Sequence, residues 1–371
     1  MNGSQKRKMK RCLFAAAAAL ALAGCTSLQE AAEQGDSVAQ WQLGDNLMTG
    51  KNGYPVKPVE AKAWIEKSIA QENAEALAVK GEYMLQGRYG ANSNGKEILD
   101  LVWPAVQQNS HRAGKVFIAA MFRDMNISVL DKASAAATAA FEGKTPYADE
   151  TLDLYYKHAR TYCGKALDVN GMPLADQKRQ LELLFNFADT SWNYAHHDYD
   201  TTVGDRVSKR LVAYRVLARA KLDLIEKAMD ISVAKVTLMF LDPTTARVEL
   251  SVEVEGKGEN ETACAKDAMK RASERLQGVK ISGSESAASS EKEKDGKVEQ
   301  NSSYQSNVAA EYAGQLDSFT PLEKPKLTAD GSYCGKFCAT KKMIVDLGRN
   351  SPNVQESKDY LSGIKSKRKK K

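Results

Sequence analysis

The sequence predicts an α+β multidomain protein: an N-terminal α-solenoid with a helical cap, then a small domain with one helix on an antiparallel sheet. A helix pattern recurs every 37 residues near the N-terminus, and further helical patterns follow it. The apolar spacing then changes from about 3.6 residues to about 2. The predicted parts are a signal peptide at 1–24, a repeat array at 25–130, a helical cap or continuation at 131–232, an α+β domain at 233–348 and a disordered basic tail at 349–371.

The N-terminus has the composition of an export signal. A cluster of five cations precedes an unbroken run of small and apolar residues from Leu13 to Gly24. The cations are Lys6, Arg7, Lys8, Lys10 and Arg11. Because the run is shorter than the roughly 20 residues that span a bilayer, we expect a signal-peptide core and not a membrane helix.

The end of this run, Leu22-Ala23-Gly24-Cys25, resembles the lipobox of bacterial lipoproteins. The resemblance implies cleavage before Cys25 and acylation of its sulfur, with palmitate among the acyl groups. Two or more acyl chains hold a protein stably on a bilayer. Thr26, and not Asp, follows the cysteine. In lipoproteins of this type that implies the outer membrane as the location. The alternative is an ordinary secretory signal cut nearby, with Cys25 a chance thiol.

Three segments after the signal align with one another at a spacing of 37 residues. Each begins with a short polar residue of the kind that caps a helix, followed by an apolar helical pattern. These candidate N-caps are Asp36, Asn73 and Ser110. Gly44 and Gly81 match at the same spacing, as do Gly50 and Gly87, where each helix should stop.

Second helices are predicted between these stops and the next cap, at 59–71 and about 96–108. The first unit contains Leu43-Gly44, the turn at Gly50 and Ala61-Lys62-Ala63-Trp64. These residues resemble the Sel-one-like repeats, relatives of the tetratricopeptide repeat. The resemblance covers roughly residues 28–123 and implies stacked helix pairs. The third unit departs from the pattern, since Ile118 stands at the position of Gly44 and Gly81.

An array of two and a half repeats cannot bury its own faces, so other elements must cap it. A loose Ala- and Ser-rich stretch is predicted at 132–142. Helical patterns then return at about Tyr147–Cys163, Ala175–Trp192 and Thr202–Met229. We predict that these helices close the stack.

The following residues alternate with the period of a strand. Apolar residues at 236–240 and 248–254 flank the turn Asp242-Pro243-Thr244-Thr245, which predicts a hairpin with one charged face. A helix is predicted at about Glu261–Leu276, and late strands at 331–334 and 338–345. This order is similar to that of the LPP-twenty lipoprotein family over roughly residues 246–345. The resemblance implies one helix packed on a curved antiparallel sheet.

Two features of the C-terminal half allow more than one interpretation. The Ser-rich run at 282–306 is a flexible loop by composition, or a pair of polar strands if the family resemblance holds. The remaining cysteines are an even set in an exported chain, so three disulfide connectivities are open, as is a set of buried thiols. They are Cys163, Cys264, Cys334 and Cys338. On a strand, the last two lie too far apart to bridge each other.

No group of residues has the spacing of a catalytic or cofactor site. His196 and His197 are neighbours on a predicted helix, where adjacent side chains point about 100° apart and cannot readily chelate one metal. The glycine pair Gly256 and Gly258 lacks the rest of a dinucleotide-binding pattern. We therefore expect no enzyme, no catalytic, cofactor-binding or metal site, and lipidation at Cys25.

The net charge of +6 is concentrated at the two ends of the chain, in the signal and in Lys365–Lys371. The body between them is mildly acidic, so we expect no nucleic-acid partner. The basic tail is either a solvated terminus or a contact for anionic lipid head groups.

These features predict a lipid-anchored, non-enzymatic adaptor in the bacterial cell envelope, with its body in the periplasm or at the cell surface. Its partners would be the bilayer, through acylated Cys25, and an envelope protein or peptide bound by the repeat array. The alternative is an envelope, flagellar or peptidoglycan assembly factor that acts through the C-terminal α+β domain.

Overall fold

The computed structural model describes residues 27–90, 94–197, 202–279, 281, 284–285, 315–349 and 351–368. Over these residues the protein is mainly helical with a C-terminal antiparallel sheet, which confirms the α+β class. The chain divides into two compact units, unit 1 (Met1–Lys157) and unit 2 (His158–Lys371). The division falls within the segment 131–232 that the sequence assigned to a helical cap.

Unit 1 consists of helices joined by short turns. They are α1 (Leu28–Glu33), α2 (Ser37–Thr49), α3 (Pro58–Ile69), α4 (Ala74–Leu85), α5 (Gly95–Gln107), α6 (His111–Arg123), α7 (Leu130–Phe141) and the first part of α8 (Pro146–Ala166). Each of α1 to α6 packs on the next helix in the chain, and α4 packs also on α2 and α6. The alternate helices α2, α4 and α6 therefore form one layer.

The same turn occurs three times in unit 1, at a spacing of 37 residues. The predicted N-caps are confirmed, because each side chain accepts hydrogen bonds from backbone N–H groups two or three residues ahead. These caps are Asp36, Asn73 and Ser110. The residue before each cap is left-handed, with φ of 97°, 58° and 58° at Gly35, Glu72 and Asn109. Each cap N–H also donates to the carbonyl five residues earlier.

Glycines let the paired helices of unit 1 approach closely. A Cβ on Gly81 would lie 2.4 Å from Cγ1 of Val102 on the next helix. The third unit has Ile118 at this position, and Gly114, one turn earlier, makes the close contact there. A Cβ on Gly114 would lie 2.5 Å from the backbone nitrogen of Ala140. The close approach is thus kept, but displaced by one helical turn.

The Ala- and Ser-rich stretch at 132–142, expected to be loose, is helical instead and forms most of α7. Its alanines are buried and the helix packs on α6. They include Ala133, Ala136, Ala137 and Ala140. Alanines give a weak amphipathic signal, so this helix is specified by its fit against Gly114 more than by its own pattern.

Unit 2 begins with the rest of α8, followed by two long helices and a sheet with two further helices. The elements are α9 (Leu174–His197), α10 (Thr202–Met229), β1 (Lys235–Phe240), β2 (Thr245–Gly258), α11 (Glu261–Gln277), β3 (Ser284–Glu285), β4 (Ser318–Pro321), β5 (Lys326–Leu327), β6 (Tyr333–Asp346) and α12 (Pro352–Arg368). The sheet order is β1-β2-β6-β3, and β4 and β5 also pair with β6.

The predicted hairpin is confirmed as antiparallel β1 and β2, with Val236 opposite Leu250. Helix α11 packs on β2 and β6. A Cβ on Gly256 would lie 2.1 Å from the carbonyl oxygen of Cys264, so this strand position needs glycine to let the helix backbone touch the sheet. The two predicted late strands are one continuous strand, β6. Of the Ser-rich run, only Ser284–Glu285 is described, as a short strand paired with β6.

The predicted disorder of the basic tail is wrong over Pro352–Arg368, which is helical. Val354 is 2 % exposed, and α12 packs on α10. Composition alone missed this because the helix is held by burial of a few residues against another element. Residues 369–371 lie outside the described part of the chain.

The predicted signal peptide and the predicted lipidation site, Cys25, lie outside the described residues. Within the part of the chain that is described, no helix combines the length and the apolar character needed to cross a membrane.

Candidate functional site

Five charged side chains form a connected cluster across four helices of unit 1. We name it the central charge cluster, and its members are Asp45 on α2, Glu82 on α4, Arg112 and Lys115 on α6, and Glu150 on α8. The helices α2, α4 and α6 bring the first four of these residues to one layer because each starts at an equivalent turn. The 37-residue spacing places Asp45 and Glu82 at equivalent positions, and α8 adds Glu150 from outside the repeat.

The contacts within the central charge cluster are short and continuous. Arg112 donates from Nε to Oε2 of Glu82 over 2.6 Å, and from a terminal nitrogen to Asp45 over 3.1 Å. Lys115 donates to Oε1 of Glu82 over 2.5 Å and to Glu150 over 2.7 Å. The hydroxyl of Tyr83 donates to Asp45 over 2.6 Å. Each buried charge thus has at least one partner of opposite sign.

Burial strengthens the ion pairs of the cluster and shifts the pKa values of its members. The side chains of Arg112 and Lys115 are each 8 % exposed. Burial by itself would raise the pKa of Glu82, but the positive charges of Arg112 and Lys115 lower it below its usual value. Burial and the hydrogen bond to Asp45 raise the pKa of Tyr83. Glu82 is therefore ionised, and Tyr83 neutral, at neutral pH.

A cavity of about 290 Å³ opens beside the cluster. Its apolar lining residues are Leu85, Ala119 and Leu154. Glu150, with 57 % of its side chain exposed, joins Asp153 and Lys157 in the polar part of the lining. The arrangement offers an apolar contact surrounded by charges of both signs.

Sequence reasoning did not find this cluster, although one signal was present. Asp45 and Glu82 are 37 residues apart, so acidic residues occupy the same position in the first two units. The third equivalent position is Ala119, which lines the cavity. The cationic partners, Arg112 and Lys115, have no such repeat, and only the packing of α6 against α4 reveals them.

The histidines considered as metal ligands are not gathered into a site. The ring of His196 stacks on Trp192, with centroids 5.0 Å apart, and its Nδ1 lies 3.4 Å from Oγ of Ser208. Among the described residues, no group of three or more His, Cys, Asp and Glu side chains is placed to hold a metal. Residues 198–200, the remainder of the His-His-Asp-Tyr-Asp segment, lie outside the described residues.

The four cysteines of unit 2 carry free thiols. Cys163 and Cys264 are buried, whereas Cys334 and Cys338 on β6 are half-buried. Burial raises the pKa of Cys163 to about 12, so this thiol stays protonated and unreactive at neutral pH. Of the two alternatives, the structure thus has thiols and not disulfides.

Unit 2 contains a buried lysine beside a second cavity. Lys221 is 3 % exposed, donates to the carbonyl of Leu167 over 3.0 Å and lies 4.0 Å from the ring centroid of Phe240. Burial lowers its pKa to about 8. The cavity is about 250 Å³, and Asp168 and Asp242 are part of its lining. These carboxylates and the carbonyl balance the ammonium within the fold.

A cavity of about 730 Å³ in unit 2 is lined mainly by residues of α10 and α12. Arg215 and Arg219 in its lining already bind the carboxylates of Asp189 and Asp223, over 2.9 and 2.6 Å. Size alone does not make it a functional site, and it carries less organised charge than the cluster of unit 1.

Comparison with known proteins finds no family model, no curated protein and no solved structure that matches this chain.

Proposed function

We propose that the protein is a lipoprotein anchored by acyl chains on Cys25, and that it acts as a non-enzymatic adaptor in the bacterial cell envelope. In this proposal, unit 1 is a short α-solenoid of Sel-one-like repeats. The layer formed by α2, α4 and α6 binds an envelope protein or peptide. The outer membrane is the proposed location.

Support for the repeat interpretation comes from the recurrent turns. Three left-handed residues, three capped helix starts and three equivalent hydrogen bonds occur at one spacing in the chain. Stacked units of this kind present one helix of each pair on a common surface, which such proteins commonly use for binding.

The observation that carries the binding proposal is the central charge cluster with its adjoining cavity. The cluster joins four helices, and three of its members, Glu82, Lys115 and Glu150, line the cavity. Glu150 and Asp153 present carboxylates beside the apolar side chain of Leu154. A partner segment with a basic residue next to an apolar residue would satisfy both features.

A photo-crosslinking amino acid at position 153 tests this proposal in cells. Asp153 is exposed and lines the cavity. Glu33 on α1 is also exposed and is absent from the lining, so the same substitution there is the control. We expect a discrete crosslinked envelope protein at position 153 only, and loss of that product when Leu154→Asp is added. Equal products at both positions would contradict binding at the cavity.

The basic tail is proposed to assist the anchor by contact with anionic lipid head groups. Several of its cations lie in the last turns of α12, including Lys365, Lys367 and Arg368. Each cation near an anionic surface contributes about 1 kcal/mol, reduced by salt. Removal of residues 365–371 should therefore weaken attachment to anionic vesicles at low salt and leave attachment to neutral vesicles unchanged.

A second candidate function is envelope, flagellar or peptidoglycan assembly through the C-terminal part of the chain. It is favoured by α11, which packs on β2 and β6 in the arrangement that the LPP-twenty resemblance implies. Deletion of 246–345, compared with deletion of 30–123, separates the two candidates. Loss of function only with deletion of 246–345 would favour the assembly role. Loss of function only with deletion of 30–123 would favour the adaptor role.

A further inference from the structure

We propose that one edge of unit 1, the segment from Lys51 to Val59, lies in the head-group region of the bilayer. This contact would orient unit 1 on the membrane. We name the segment the Val56–Val59 edge, after its two exposed apolar residues. The proposal rests on the proposed acylation of Cys25 and commits to the lipid surface as the occupant of this edge.

The chain between Cys25 and α1 is short. Only Thr26 separates Cys25 from Ser27, the residue that caps α1. Two residues of chain span at most about 7 Å. Ser27 and Glu30 form a capping box, so the helix begins firmly at this point. Acylation of Cys25 would therefore hold the start of α1 within about 7 Å of the anchored residue.

Helix α1 runs back along α2. Its six residues are joined to α2 by the turn at Gly35 and Asp36, and α1 packs back on α2. Leu28 packs on the core cluster that contains Leu43 and Leu47. The start of α1 thus points along α2 toward the end where the chain turns at Gly50 and enters the Val56–Val59 edge.

The two valines of the Val56–Val59 edge are exposed. Val56 is 61 % exposed and Val59 is 85 % exposed, the largest fraction among the exposed large apolar residues of the described chain. Prolines at 55 and 58 restrict the backbone between them. Val56 lies against the turn, since a Cβ added to Gly50 would lie 3.0 Å from its Cγ2. Apolar side chains held outward in this way favour an apolar boundary over water.

The same segment also contains one tyrosine and two exposed lysines. Tyr54 packs partly on the core and is an aromatic residue of the kind enriched at membrane interfaces. Lys51 and Lys57 have 66 % and 55 % of their side chains exposed. A tyrosine, two lysines and two exposed valines form the combination that suits the head-group and acyl boundary of an anionic bilayer.

The other end of the same helix supplies an internal comparison. Val38, in the first turn of α2, is 48 % exposed. It lies about 20 Å from Gly50 along a helix of 13 residues. If the Val56–Val59 edge faces the membrane, then Val38 faces away from it.

The test places an environment-sensitive fluorophore at each end of the helix. Val59→Cys and Val38→Cys are made in the lipidated full chain with Cys334→Ser and Cys338→Ser, which removes the two half-buried thiols. Each labelled protein is reconstituted into vesicles of phosphatidylcholine with phosphatidylglycerol. Emission and quenching by nitroxide-labelled lipid are measured after flotation.

We expect a shift to shorter wavelength and several-fold stronger quenching for the label at position 59 than for the label at position 38. In the Val59→Cys protein, Val56→Asp should reduce both signals. Protein that floats with equal quenching at both positions contradicts the membrane edge and leaves the anchor standing. Protein that does not float contradicts the acyl anchor, and the edge proposal falls with it.

Discussion

Arg112 binds Glu82, thirty residues earlier in the chain, through a hydrogen bond of 2.6 Å between Nε and Oε2. This pair joins α6 to α4, and Lys115 extends it to Glu150 on α8. The charges lie in the layer of alternate helices that we propose as the binding surface. Their pairing has consequences for stability that can be measured without knowledge of the partner.

Substitution of Glu82 by Ala should destabilise unit 1 strongly, because it leaves Arg112 and Lys115 buried without their shared partner. Breaking a buried ion pair on one side costs about 3–5 kcal/mol. The exposed pair of Lys57 and Glu60, 2.9 Å apart, is the control. Glu60→Ala should cost less than about 1 kcal/mol. Equal losses of free energy of unfolding in urea would show that burial does not strengthen the central charge cluster.

The same carboxylate should make stability depend on pH. In the folded protein the pKa of Glu82 lies below its ordinary value of 4.5. The unfolded chain therefore binds the proton first as the pH falls, and the folded state loses stability through this window. Glu82→Gln removes the titration, so from about pH 5 to about pH 3 the wild type should lose more free energy of unfolding than the variant. Parallel pH profiles would contradict this assignment.

The close approach of α6 and α7 predicts opposite effects of alanine at two helical glycines. A Cβ on Gly114 would meet the backbone at Ala140, which cannot move aside as a side chain can. Gly114→Ala should destabilise by about 1–3 kcal/mol or more. At Gly164 the nearest atom to a Cβ is the hydroxyl of Tyr214, at 3.8 Å. Gly164→Ala should stabilise α8 by up to about 1 kcal/mol. Thermal unfolding of both variants tests the difference in sign.

The local features of this fold were predictable and the tertiary ones were not. Asp36, Asn73 and Ser110 cap helices through bonds to residues two or three ahead, so short sequence patterns suffice to find them. The helix at Leu130–Phe141 and the helix at Pro352–Arg368 depend on surfaces supplied by α6 and α10. Their own patterns therefore suggested looseness and disorder.

Only part of the candidate site was predictable from the sequence, because its other members are brought together by tertiary packing. The repeated acidic position, Asp45 and Glu82, can be read from the sequence. The buried cations that pair with it, Arg112 and Lys115, come from α6, and Glu150 comes from a helix outside the repeated pattern. Only the fold brings them within hydrogen-bonding distance.

Lys221 predicts a second pH dependence, in the same direction but at higher pH. Burial lowers its pKa to about 8 in the folded state, against 10.5 for an ordinary lysine. Between these values the unfolded chain binds more protons, so a rise in pH favours the folded state. The wild type should gain free energy of unfolding relative to Lys221→Met as the pH rises from about 8 to about 10. The difference also cancels the opposing effect of Cys163, which is shared by both proteins.

At pH 7, Lys221→Met should be neutral or stabilising, because an apolar chain of similar length removes the desolvation of a buried ammonium. Urea unfolding at pH 7 and at higher pH measures both effects. A large loss of stability at pH 7, or an unchanged difference at higher pH, would contradict the account of this lysine.

Acylation of Cys25 is the central claim, since the proposed location, the adaptor function and the membrane edge all depend on it. The most direct measurement is metabolic labelling with palmitate, combined with mass spectrometry of the N-terminal peptide. Cys25→Ser is the test variant and Cys12→Ser, within the predicted signal, is the control. We expect label in the wild type and in Cys12→Ser, a mature chain that begins at Cys25, and an unlabelled Cys25→Ser protein that is released from membranes. An unlabelled wild type, or a Cys25→Ser protein that stays in the membrane fraction, would contradict the claim.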